Sequence, residues 1–148
     1  MSKRSLLSIL LIVFAALFFS AVIYAGTKVS DVVTMENKAY TKHKKSIVMF
    51  SHKKHAEEYK IGCGECHHDA NGKPLTSLKA GDEVKGCIEC HKIASRKPKG
   101  TTLSRKERLA YHAEAIHYNC IGCHKKFKKE TGKKTAPTSC AKCHPKKK

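Results

Sequence analysis

Four stretches of this 148-residue chain place two cysteines three positions apart and follow the second at once with a histidine. They are Cys63/Cys66/His67, Cys87/Cys90/His91, Cys120/Cys123/His124 and Cys140/Cys143/His144. Thiols at that spacing can add across the two vinyl groups of a porphyrin, and the adjoining imidazole can bind the iron from one face. The pattern is the attachment signature of a c-type haem. All eight cysteines are used in this way, which predicts four haem c groups on one polypeptide. Two other chemistries use paired cysteines. Cys63/Cys66 with Cys87/Cys90, and Cys120/Cys123 with Cys140/Cys143, have zinc-ribbon spacing, but a four-cysteine zinc site has no use for a histidine after each second thiol. Disulfides within such pairs would close loops too small to stabilise much.

An iron that only passes electrons has both axial positions filled by the protein. With His67, His91, His124 and His144 taken as proximal ligands, six histidines remain: His43, His52, His55, His68, His112 and His117. Methionine is the other common sixth ligand, but beyond the initiator the chain has only Met35 and Met49. Histidine at all four distal positions is therefore expected. Two imidazoles favour ferric iron more than a histidine and a methionine do, so low reduction potentials follow.

The elements that must carry these residues are modest. Lys3 and Arg4 precede an apolar run from Leu6 to Tyr24, with Ala25 as a small residue for cleavage. Residues 1–25 read as an export signal, and the run is also long enough to stay as a membrane anchor if uncut. Residues 26–46 read as an exposed lead-in, and 47–148 as the domain that bears the haems. Ile47 to Phe50 suits a short strand, and Asn71-Gly72-Lys73-Pro74 a turn. Ser104 and Glu107 form a capping box, after which Leu109, Ala113 and Ile116 mark one face of a helix running toward Cys120. A lysine-rich loop closed by Pro137 should separate the third and fourth motifs. There is no tryptophan and few large apolar side chains follow residue 25, too little for a core of side chains alone. The polypeptide should wrap its haems and have no fold without them.

The formal charge of +18 would ordinarily suggest nucleic acid as a partner. Export and about eight haem propionates argue against it. Lysines crowd the last third, at Lys125, Lys126, Lys128, Lys129, Lys133, Lys134, Lys142 and Lys146 to Lys148, around the third and fourth motifs. They could steer acidic redox partners onto the fourth haem.

The run Phe50-x-His52-x-x-His55, then Cys63-x-x-Cys66-His67-His68, a Gly-Lys turn and three further motifs resembles the class III cytochromes c, tetrahaem proteins of sulfate-reducing and related anaerobic bacteria. The resemblance covers roughly residues 47–145. It implies a small, mostly irregular and α-helical fold, with a few helices and a short N-terminal strand pair wrapped around four non-parallel haems. It also implies crossed distal ligands: His52 for the first haem, His68 for the second and His55 for the third. His117 is the better match for the fourth, with His112 as the alternative, while His43 lies outside the motif and is expected at the surface. All four motifs here have two residues between the cysteines, whereas some members have four in the second and fourth.

The resemblance further implies a periplasmic, low-potential electron carrier rather than an enzyme. Its expected partners are periplasmic hydrogenase and membrane-bound multihaem complexes, with membrane contact of its own only if the N-terminal segment stays uncleaved. The rival reading is a multihaem reductase acting on nitrite, sulfur compounds or metal ions, which needs one iron with an open sixth position.

Overall fold

A computed structural model describes residues 30–146; the expected export signal, residues 1–25, lies outside the described residues. Two strands open the fold. β1 (Val33–Thr34) pairs antiparallel with β2 (Met49–Phe50), in the register Val33↔Phe50 and Thr34↔Met49. The hairpin is extended by Met35 N–H donating to the Val48 carbonyl at 2.9 Å. The described part of the expected lead-in, residues 30–46, is thus tied into the fold from its start. The alternating apolar and polar residues of Val33 to Met35 gave too short a period to be read as a strand.

Beyond β2 the chain makes a π-helical turn at Lys54–Glu58 and a tight 3₁₀ turn at Cys63–Glu65. The reversal at Asn71 to Pro74 follows as expected. The Asp69 carboxylate accepts the Asn71 and Lys73 N–H groups at 2.9 and 2.8 Å, and Gly72 takes φ +81°, the left-handed conformation that glycine permits. Lys79–Glu83 is a small turn by itself, in which the Asp82 carboxylate accepts the Lys79 N–H at 2.8 Å. α1 (Cys87–Cys90) is a single helical turn.

α2 (Arg105–Leu109) begins at the expected capping box. Ser104 Oγ accepts the Glu107 N–H at 3.3 Å, and the Glu107 carboxylate accepts the Ser104 N–H at 2.8 Å. Hydrogen bonding to Ser104 holds the Glu107 carboxyl below its usual range. The single helix expected from Leu109, Ala113 and Ile116 is in fact two. Ile93 wedges its backbone into the ladder at Ala110–Tyr111: its N–H donates to the Ala110 carbonyl at 3.0 Å, and its carbonyl accepts the His112 N–H at 2.9 Å. Tyr111 is left extended, at φ −80° and ψ 115°, and α3 (His112–Thr131) starts afresh after it. A break of this kind barely disturbs hydrophobic spacing, so periodicity could not reveal it.

α3 also runs further than expected. The third motif lies wholly inside it, and the lysine-rich stretch beyond forms its last two turns instead of a loop. Gly132, at φ +69°, ends the helix by donating its N–H to the Lys128 carbonyl at 3.0 Å. α4 (Cys140–Cys143) is again one turn. Polypeptide packing on polypeptide gives almost no core: among the described residues only His112 and Ala115 are buried, at 6% and 7% exposure.

Candidate functional site

Each Cys-x-x-Cys-His motif is wound as a helical turn. At the first, second and fourth motifs the histidine N–H closes the turn on the carbonyl of the first cysteine: His67 on Cys63 at 2.9 Å, His91 on Cys87 at 2.9 Å, His144 on Cys140 at 2.7 Å. The third motif is wound within α3. A helical turn brings positions i and i+3 to the same side, so the winding sets each thiol pair beside one another. The thiols of different motifs also gather. Burial pushes the Cys120 thiol up to about 11, with the charges of Cys66, Cys87, Cys143 and Cys123 acting in the same direction. Burial raises Cys66 and Cys87 as well.

The histidines meet in pairs drawn from distant parts of the chain. The ring centroids of His55 and His124 are 6.2 Å apart with planes at 28°, those of His68 and His91 5.8 Å apart at 66°, and those of His117 and His144 6.2 Å apart at 79°. His52 lies close enough to His67 for its charge, after burial, to lower the proton affinity of the His67 ring. Of the four partnerships that the resemblance implies, the structure thus sets three as ring pairs, with His117, not His112, opposite His144, and leaves His52 near enough to His67 for its charge to act on it. His112 instead has its Nδ1 2.9 Å from the Tyr40 hydroxyl, and Tyr40 in turn stacks on a half-buried His43.

Most of these rings are fixed through their far nitrogen. His55 Nδ1 donates to the Ser51 carbonyl at 2.9 Å, His68 to Asp69 at 2.7 Å, His91 to Leu109 at 2.5 Å, His124 to Pro137 at 2.6 Å and His144 to Ser46 at 2.7 Å. A carbonyl can only accept, so the proton is on Nδ1 and Nε2 keeps a free lone pair. Among the described residues, only His117 has an Nδ1 that is buried without a partner. Burial lowers the proton affinity of His117, and Arg96 lowers it further, keeping the ring in the neutral form a metal requires. Sequence reasoning missed these acceptors because they are backbone carbonyls, which no residue type signals.

A metal gripped by imidazole nitrogens at about 2 Å on both sides would separate the ring centroids by roughly 6 Å. That matches the spacings of the His55/His124, His68/His91 and His117/His144 pairs. Among the described residues no group of three or more His, Cys, Asp or Glu side chains could hold a bare ion. Two opposed ligands with thiols alongside suit an iron whose other four ligands come from porphyrin nitrogens, and so the donor set fits haem c rather than zinc.

The fourth pair is flanked by cationic surface. A cavity of about 240 Å³ beside His117 is lined by Arg108, Tyr118 and Lys125, and one of about 340 Å³ beside His144 by Lys44, Lys45 and Lys146. Tyr118 lies under both Arg105 and Arg108, at 4.9 and 5.8 Å from its ring centre. Of the clustered lysines in the described part, Lys128 is committed to Thr138 Oγ1 at 2.9 Å and Lys126 lies 4.0 Å from Glu130, while the others are exposed.

Wound thiol pairs and opposed imidazoles, on a fold with hardly any side-chain core, define a multihaem c-type cytochrome. The chain matches the class III cytochrome c family over residues 28–144 and belongs to that family. It is 40% identical over 110 residues to cytochrome c3 of Maridesulfovibrio salexigens, covering 74% of this chain and 89% of that protein. It is 34% identical over 102 residues to cytochrome c3 of Desulfovibrio desulfuricans, covering 69% and 81% respectively. It carries four haem c groups and is a multihaem electron carrier. Among the described residues no helix is long and apolar enough to cross a membrane.

Proposed function

We propose that this protein is exported to the periplasm and passes electrons between a periplasmic donor such as hydrogenase and membrane-bound redox complexes, without catalysing a reaction of its own. In this reading Cys63, Cys66, Cys87, Cys90, Cys120, Cys123, Cys140 and Cys143 hold the haems covalently. His67, His91, His124 and His144 bind iron proximally, and His52, His68, His55 and His117 complete the four sites in that order. The haems supply reversible one-electron ferric–ferrous chemistry. The chain's own residues would fix orientation and exclude other ligands, with Nδ1 anchors holding five of the eight rings in place.

The observation that supports a carrier over a reductase is that three of the four proximal histidines face a second imidazole at ring separations of 5.8 to 6.2 Å, with His52 near the remaining one. The exposed cations around His117 and His144 support docking of an acidic partner at the fourth haem. Arg105 and Arg108, braced on Tyr118, would present their guanidinium groups with little entropy left to lose.

Spectroscopy of the purified holoprotein tests the reading. Low-spin spectra with no carbon monoxide binding in the reduced state are expected; a high-spin ferric haem that binds carbon monoxide would favour the reductase. Electron exchange with an acidic partner should slow steeply with salt, and Lys125→Glu combined with Lys146→Glu should slow it at low salt. A salt-independent rate unaffected by those changes would remove the docking proposal.

A further inference from the structure

The most buried residue of the described chain is His112, a histidine outside the four ligand pairs. Its ring lies 5.6 Å from that of Tyr40, whose hydroxyl is 2.9 Å from Nδ1. The backbone N–H of Ala113, in the first turn of α3, makes a long contact to the Ser95 carbonyl at 3.4 Å. Burial lowers the proton affinity of the His112 ring, which suits it to accept the hydroxyl proton. Both groups stand at the start of α3, where Tyr111 provides no side-chain cap. The first N–H groups of that turn go to the Ile93 and Ser95 carbonyls, at 2.9 and 3.4 Å, so Tyr40 holds the helix start through the His112 side chain.

Tyr40 comes from the segment before the first motif, set by a turn in which its N–H donates to the Asn37 carbonyl at 3.1 Å. Six residues later, Ser46 grips the other end of the same site. Its carbonyl accepts His144 Nδ1 at 2.7 Å, and its hydroxyl donates to the Pro145 carbonyl at 2.6 Å. One short span therefore supports the helix that carries His117 at one end and the ring of His144 at the other.

We infer that Tyr40, through its hydrogen bond to His112, anchors the start of α3 and is a positioning residue for His117, and that the span 40–46 sets the near-perpendicular angle between the His117 and His144 rings. This rests on the proposal that these two histidines share the fourth haem. The angle has a direct readout. Two perpendicular imidazole planes leave the iron dπ orbitals nearly degenerate, and oxidised haem then shows a single large-g resonance; parallel planes split those orbitals and give well-separated g values.

Frozen-solution electron paramagnetic resonance of oxidised holoprotein provides the test. Tyr40→Phe should move the large-g feature of the fourth site to lower g by more than its linewidth and leave the resonances of the near-parallel His55/His124 pair in place. His112→Leu should do the same, whereas His112→Gln, which keeps an acceptor for the hydroxyl, should retain the wild-type feature. His117→Met is the control for the ligand assignment and should abolish that feature. If His117→Met abolishes it but Tyr40→Phe leaves it unmoved, the positioning role is wrong and the assignment stands. If His117→Met leaves it intact, the assignment is wrong and the positioning role goes with it. Should Tyr40→Phe yield no holoprotein, His112→Leu decides by the same criterion.

Discussion

An imidazole ligand is tuned by what its far nitrogen does. At five of the eight histidines expected at iron, Nδ1 donates to a backbone carbonyl, which pushes electron density toward Nε2 and stabilises the ferric state. The eight thiols and four proximal rings were legible from spacing alone. The choice between His112 and His117 was not, because both flank the same helical stripe five positions apart, and only a partner from another segment separates them: Tyr40 for one, His144 for the other. The ring angles of 28°, 66° and 79° predict that the haems are magnetically distinct. The oxidised holoprotein should show one rhombic low-spin species from the His55/His124 site alongside strongly anisotropic ones. Four superimposable rhombic signals would contradict the geometry.

At the scale of elements, positions inside the motifs are not interchangeable. A methyl group on Gly64 would meet the Leu75 carbonyl carbon and the Thr76 nitrogen at 3.2 Å. That backbone is pinned by the Leu75 N–H donating to the His67 carbonyl at 2.9 Å, so it cannot retreat without disturbing a ligand. Gly64→Ala should cost about 1–3 kcal/mol by overpacking. Gly62→Ala, where the added carbon meets nothing within 4 Å and φ is −63°, should stay within about 0.5 kcal/mol. Thermal unfolding of the two variants separates them, and equal melting points would refute the argument.

The approach of Arg96 to α3 makes a second test at this scale. Its Nε donates to Glu114 at 2.9 Å, where the carboxylate is 11% exposed and the arginine 65% exposed. Burial works against the charge on Glu114, yet the Arg96 hydrogen bond and charge outweigh it and hold the carboxyl below its usual range. A depressed acid contributes stability above its unfolded pKa and loses it as pH falls through the folded value. Glu114→Gln should therefore destabilise by about 1 kcal/mol at neutral pH, limited by solvent around the arginine, and match wild type once the pH is well below about 4. A difference that persists unchanged into acid would show that the pair does not act through charge. This contact, like the wedge of Ile93 at Ala110–Tyr111, joins segments far apart in the chain and so left no local pattern to read.

For the whole molecule, the poverty of apolar residues predicts that side chains alone cannot build an interior, and among the described residues only His112 and Ala115 are buried by polypeptide. The cofactors then make up the hydrophobic interior. A chain synthesised without haem attachment should be expanded, with a radius of gyration nearer the roughly 30 Å of an unfolded chain of this size than the roughly 13 Å of a folded one, and should lack near-ultraviolet dichroism. Small-angle scattering that gave the compact value would overturn this. The lysine-rich segment was legible as charge but not as helix, because its stop signal, Gly132, comes after seven residues with no apolar stripe except Phe127.

The gathering of sulfur atoms around Cys120 bears on how such a molecule is made. Burial of its sulfur, and then the neighbouring cysteines, push that thiol up to about 11, which makes it a poor nucleophile in the closed arrangement although the residue as a whole is exposed. Its neighbours at Cys66 and Cys87 belong to other motifs, so a disulfide to either would join the wrong partners. Attachment is therefore expected to capture each vinyl group while the chain is still open, with the rings, once joined, drawing the backbone shut around themselves.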